Sequence, residues 1–105
     1  METLQYRHRA SRPLRGSLRQ ALIGVVASGN MEALFERVLD DAQCQFDIVT
    51  SIAGYGEVWS AVIADFVERY SPGGVRISIN DGGARPDTVA LRLAQGARLM
   101  ERDSA

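Results

Sequence analysis

Few of the 105 residues could take part in covalent or acid–base chemistry, and those few are scattered. Cys44 is the one thiol, His8 the one imidazole, and there is no lysine: all twelve basic residues are arginine. One Cys and one His cannot supply the roughly four ligands of a structural zinc site. A chain without lysine has no amine for Schiff-base formation, and a single Cys forms no intrachain disulfide. Cys44 falls in register with Phe46 and Ile48, the pattern of a buried structural thiol. His8 lies between Arg7 and Arg9 and reads as a surface histidine. Asp40-Asp41 reads as a solvated turn, and Gly82-Gly83 matches neither dinucleotide nor P-loop spacing. Ser28 differs in context. It follows the most apolar run of the chain, in Val26-Ala27-Ser28-Gly29-Asn30, beside a glycine that leaves approach unobstructed. A hydroxyl presented on such a turn can be modified by an enzyme that envelops it; Ser28-Gly29-Asn30 can equally be a plain tight turn.

The elements that must position these residues follow from polarity patterns. Leu4 to Arg9 alternates weakly as a half-exposed strand, and Ser11 to Ser17, with Pro13 and Gly16, reads as a loop. Ala21 to Val26 has the profile of a buried strand. Gly29-Asn30 suits a hairpin connection to a further strand, Met31 to Val38. Cys44, Phe46 and Ile48 mark a strand. Val58, Trp59, Val62, Ile63, Phe66, Val67 and Tyr70 make one apolar helix face, stopped at Pro72-Gly73-Gly74. Val75, Ile77 and Ile79 mark another strand, Asp81 to Ala84 a loop, and Pro86-Asp87 the first turn of a second helix through Met100. The expectation is an α+β two-layer sandwich, a largely antiparallel sheet with two helices packed on one face. Residues 1–105 read as a single domain, and the strand content argues against a helical-bundle carrier. The Asp-Ser-Leu signature of pantetheine carriers is absent, and the one Asp-Ser pair, Asp103-Ser104, sits at the end of the chain.

The formal net charge of −1 and pI of about 5.8 argue against a nucleic-acid binder. The charge is unevenly placed: Arg7, Arg9, Arg12, Arg15 and Arg19 face only Glu2 in the first twenty residues. That segment is either solvated or suited to an acidic or phosphate-rich partner. No apolar stretch is long enough to span a bilayer, so no membrane role is expected and a cytoplasmic location is the default reading.

Several stretches in order resemble one family. These are Met1-Glu2-Thr3-Leu4, Arg15-Gly16, Ala21 through Glu32, Thr50 through Trp59, Asn80 through Pro86, and Val89 through Gln95. Together they resemble the acyl carrier (delta) subunit of biotin-independent malonate decarboxylase, over nearly the whole chain. The family's Gly-Ser-Gly-Asp turn reads Ala27-Ser28-Gly29-Asn30 here, and its His-Asp-Phe-Gly-Ala-Thr-Pro reads Asn80 to Pro86. The resemblance implies a non-catalytic carrier whose Ser28 holds 2'-(5''-phosphoribosyl)-3'-dephospho-CoA through a phosphodiester. It implies that the terminal thiol carries acetyl or malonyl as a thioester. The implied partners are the transferase (alpha) subunit, the decarboxylase (beta, gamma) subunits, a prosthetic-group transferase and a malonyl transferase. The citrate lyase acyl carrier uses the same group and is a close alternative; a small interaction module without a covalent group is another.

Overall fold

Alternating burial along the strands decides the architecture. The computed structural model describes residues 1–103, so Ser104 of the Asp103-Ser104 pair lies outside the described residues. In order the elements are β1 (Glu2–Arg9), β2 (Gln20–Gly24), β3 (Met31–Arg37), β4 (Gln43–Thr50), α1 (Gly56–Tyr70), β5 (Val75–Asp81) and α2 (Pro86–Met100). Met31, Ala33 and Phe35, then Cys44, Phe46 and Ile48, then Val75, Ile77 and Ile79 are all buried, while their odd-spaced neighbours are partly or fully exposed. A period of two means one covered face and one open face. Both helices lie on the covered face, α1 reaching β1 and α2 lying over β2 and β3. This is the expected two-layer α+β sandwich.

The sheet runs β1-β4-β5-β3-β2. Three pairings are antiparallel; β4 and β5 run parallel, joined by the crossover through α1. The C-terminal ends of this central pair therefore sit side by side, Thr50 opposite Asp81. β1 brings Glu2 to the same end, where its Oε1 accepts a hydrogen bond from the Gly54 amide at 3.2 Å.

Two expectations are corrected. Ala21 to Val26 is not a buried strand: β2 is an edge strand ending at Gly24, and only Ala21 is buried. Leu22, Val25 and Val26 are each more than half exposed. A continuous apolar run implies burial on both faces only in a strand with neighbours and cover on every side. The hairpin connection to β3 is as expected: β2 and β3 pair antiparallel, joined by residues 25–30. His8 is also less exposed than its arginine neighbours suggest: it is half-buried, edge-on to Phe46 at 6.4 Å. Cys44 is buried as expected. Burial pushes its thiol up to about 11, partly offset by the hydrogen bond Sγ donates to the His8 carbonyl at 3.6 Å.

The core is organised by aromatic rings between the layers. Phe66 of α1 meets Phe35 and Phe46 edge-on at 6.5 and 6.0 Å and stacks on Tyr70 at 5.1 Å. Burying each such ring contributes about 1.5–3 kcal/mol. α2 comes this close to the sheet because it has no side chain at Gly96, where a Cβ would overlap the Phe35 ring. At the far end of the sheet Arg37 binds four carbonyls and, among the described residues, no carboxylate. Its guanidinium donates to Leu14 at 2.6 Å, Arg15 at 2.5 Å, Leu18 at 2.7 Å and Met100 at 2.6 Å. Burial and the neighbouring Arg19 hold its pKa below the usual arginine range. One planar fork thus ties residues 14–18 to the last turn of α2.

Two stability predictions follow from this packing. Gly→Ala in a helix normally stabilises by about 1 kcal/mol, but Gly96→Ala should lower stability by about 1–3 kcal/mol through overpacking. Phe35→Leu in the same chain should recover much of the loss in urea unfolding; an unchanged midpoint in the single variant would refute the close approach. Arg37→Lys keeps the charge but loses the fork, and should cost about 2–3 kcal/mol. Hydrogen exchange should report that loss first at residues 14–18 and the end of α2.

Candidate functional site

Ser28 sits at the exposed corner of a tight turn that the fold braces from beneath. β2 ends where Gly24 takes φ of 80°, a conformation in which a Cβ would overlap the Met31 carbonyl. The chain then turns at Ala27–Asn30, closed by the Asn30 amide donating to the Ala27 carbonyl at 2.9 Å. Gly29 follows Ser28 with φ of 75°, the third-position conformation of a type II turn. A Cβ on Gly29 would meet nothing within 4 Å, so the space beside Ser28 is open.

Two contacts hold the turn in place. The first comes from the β5–α2 loop: the Gly29 amide donates to the Gly82 carbonyl at 3.0 Å, and the Gly82 amide donates to the Asn30 carbonyl at 2.9 Å. A side chain at Gly82 would run into the Ala27 carbonyl, so glycine is required for this reciprocal pair. The second comes from α2. Asn30 Oδ1 accepts from the Met31 amide at 2.8 Å and from Arg92 Nε at 3.1 Å, and Arg92 Nη1 donates onward to Gln95 Oε1 at 2.9 Å. Asn30, where the resemblance has Asp, thus provides an acceptor oxygen to a cation.

Gly82 is positioned in turn by Asp81, the last residue of β5. Its buried carboxylate accepts from Thr50 Oγ1 at 2.7 Å, from the Gly83 amide at 3.1 Å and from the Ala84 amide at 2.9 Å. Its backbone carbonyl accepts from Ser51 at 3.0 Å. Gly82-Gly83 is therefore the brace of the Ser28 turn, not a phosphate loop of its own.

Among the described residues Ser28 Oγ has no hydrogen-bond partner, and no group of three His, Cys, Asp or Glu residues could hold a metal ion. His8 and Cys44 pair with each other at the opposite end of β1 and β4, about 20 Å from the Thr50 end at the rise of a strand. The arginine-rich N-terminal segment is likewise remote, with Arg37 and the 14–18 segment at the Val75 end of the sheet. Among the described residues no group is hydrogen-bonded to the Ser28 hydroxyl to activate it. The geometry presents it to another molecule. Reading the sequence singled out Ser28 but not Arg92 or Asp81, whose roles depend on partners 62 and 31 residues away. No local pattern marks such pairs.

Removing the acceptor tests the brace. Asn30→Ala should destabilise by about 1–2 kcal/mol and speed amide exchange of Gly29, Asn30 and Met31. Asn30→Asp should keep the brace at neutral pH, because Arg92 holds the carboxylate ionised. Equal exchange in both variants would show that Oδ1 does not hold the turn.

The malonate decarboxylase delta subunit (MdcD) family model matches residues 18–100. A malonate decarboxylase acyl carrier protein from Bradyrhizobium diazoefficiens is 63% identical over 100 residues, covering 95% of each chain. One from Xanthomonas axonopodis pv. citri is 48% identical over 101 residues, covering 96% of each chain. A chain in the crystal structure of a Pseudomonas malonate decarboxylase hetero-tetramer in complex with malonate superposes with a TM-score of 0.84 at 34% identity. That match covers 95% of this chain and 99% of the other. A whole-length match in both sequence and fold places the chain in the malonate decarboxylase delta-subunit family, that of its acyl carrier proteins.

Proposed function

We propose that the chain is the acyl carrier subunit of a malonate decarboxylase complex, and that Ser28 is where its prosthetic group, 2'-(5''-phosphoribosyl)-3'-dephospho-CoA, is attached. The observation that carries this reading is the exposed Ser28 hydroxyl on a turn with open space beside Gly29, braced by Gly82 and Asn30. The residues fit the group: a phosphodiester needs a reachable hydroxyl, and the neighbouring Gly29 offers no side chain to obstruct it. When bound, the group supplies a thiol that holds acetyl or malonyl as a thioester, whose carbonyl accepts the electron pair released on decarboxylation.

This chain's own residues anchor and present. Ser28 provides the oxygen, and Gly29 leaves room for a modifying active site to close around it. Asn30, Arg92 and Gly82 keep the turn from folding back onto the sheet. A fixed anchor suits a tether that visits two sites, since a short arm from a defined point keeps the effective concentration high at each. In this reading the partners are the transferase (alpha) subunit, the decarboxylase (beta, gamma) subunits, the prosthetic-group transferase and the malonyl transferase, all in the cytoplasm. The Pseudomonas neighbour's occurrence in a hetero-tetramer with malonate supports a place within a complex. Among the described residues no helix is long and apolar enough to cross a membrane.

The test is intact mass on protein made together with its modifying enzymes. Wild-type chain should gain one prosthetic group and one thiol reactive under native conditions, and Ser28→Ala should gain neither. Cys44 does not confuse the thiol readout, because it is buried and its pKa is pushed up to about 11. A mass gain that persists in Ser28→Ala refutes the attachment site.

A further inference from the structure

A cavity of about 270 Å³ opens at the C-terminal ends of β4 and β5, between the first turns of α1 and α2. Trp59 and Tyr55 line one wall, Val89 and Ala84 the other, with Asp81 at the base and Arg85 at the mouth. It adjoins the Ser28 turn: Gly82, which hydrogen-bonds Gly29, is followed directly by Gly83, which lines the cavity. The apolar face read into α1 is wider than the part that the core buries. Val58 remains 39% exposed and Tyr55 53%, both at this opening. Tyr55 and Val58 therefore leave apolar surface at the opening that the fold itself does not cover, above the buried Trp59 and Val89.

Size, position and chemistry each narrow the occupant. Pockets for drug-sized ligands run to about 300–1,000 Å³, so this one suits a single ring system, not an extended arm. In 2'-(5''-phosphoribosyl)-3'-dephospho-CoA the adenosine is joined to the anchored phosphate through one ribose, and the pantetheine lies beyond it. The base is thus the ring system held next to Ser28. Tyr55, exposed at the opening, offers an aromatic face to a purine, while Trp59 is buried in the core and lines the wall with little free ring surface. Asp81 accepts three hydrogen bonds on two oxygens, leaving acceptor capacity for an exocyclic amine. Arg85, with its side chain 83% exposed and a 3.6 Å contact to Asp87, is available to a phosphate at the mouth.

We infer that this cavity is a purine-nucleoside seat that receives the adenine of the group anchored at Ser28, leaving the pantetheine end free to reach partner sites. The inference rests on the reading of Ser28 as the attachment point. Seating the base shortens the mobile part of the tether. Its swing then starts from the cavity mouth and not from the serine.

The experiment separates the two readings. Unmodified chain is titrated with 3'-dephospho-coenzyme A while the Trp59 indole and the Val58, Val62 and Val89 methyl resonances are followed by NMR. The expected result is saturable shifts at those groups, displaced by adenosine but not by pantethine, with inosine about tenfold or more weaker for lack of the amine donor. Ala84→Phe should fill the cavity and abolish the shifts; Tyr55→Ala, at an exposed position outside the core, should weaken them should the first variant lose its fold. In chain whose mass shows the group on Ser28, the same resonances should already be shifted and no longer respond to adenosine. Absence of shifts in the unmodified chain, displacement by pantethine, or cavity resonances unaltered by the attached group would each overturn the seat. A chain that binds the nucleoside yet gains no mass on Ser28 would overturn the attachment reading and leave a nucleoside site standing.

Discussion

The carboxylate of Asp81 is the contact on which the working end of the molecule depends. A carboxylate at 7% exposure carries a large desolvation cost unless its oxygens are filled. Here the donors are the Thr50 hydroxyl and two successive backbone amides, Gly83 and Ala84. The first joins the ends of the parallel strands β4 and β5. The other two bend the chain into the loop that carries Gly82. From Gly82 two backbone hydrogen bonds reach the Ser28 turn. A buried charge at the core boundary thus sets the position of an exposed hydroxyl two loops away.

The other end of the sheet is organised by the opposite charge and the same logic. Arg37 fills its donors with carbonyls from two segments that share no secondary structure, while Ser71, buried at the end of α1, binds the Arg12 backbone in both directions. Between the two ends lies the aromatic layer of Phe35, Phe46 and Phe66. The chain therefore separates the tasks of its buried and half-buried polar groups: Arg37 and Ser71 close the fold, and Asp81, Asn30 and Arg92 hold the turn.

How much of this was legible in the sequence follows from the range of each interaction. β3, β4 and β5 alternate in polarity within seven or eight residues, so local pattern suffices to find them. The α1 stripe and the Pro72 stop are local as well. β2 misled because Leu22 and Ile23 are equally apolar while only the covered side of an edge strand reaches the core. Asp81 read as the start of a loop, since its partner Thr50 is brought beside it only by the parallel crossover. Ser28 was visible as a serine on a glycine turn, and the family resemblance raised it above a plain turn. That Asn30 accepts from Arg92 was not visible, because it requires knowing that α2 lies over β2 and β3.

The pairing of Glu2 with Thr50, and the hold of Glu2 on the Gly54 amide, have a consequence for handling the protein. The first residue emerges at the same end of the sheet as the Ser28 turn and the cavity mouth. Arg102, by contrast, is bound through its carbonyl to Ser17 and Leu18 at the Arg37 end. An affinity tag or fluorescent fusion joined before Met1 would crowd the face that a modifying enzyme must approach. A probe attached at Arg102 would instead stand at the opposite end of the sheet.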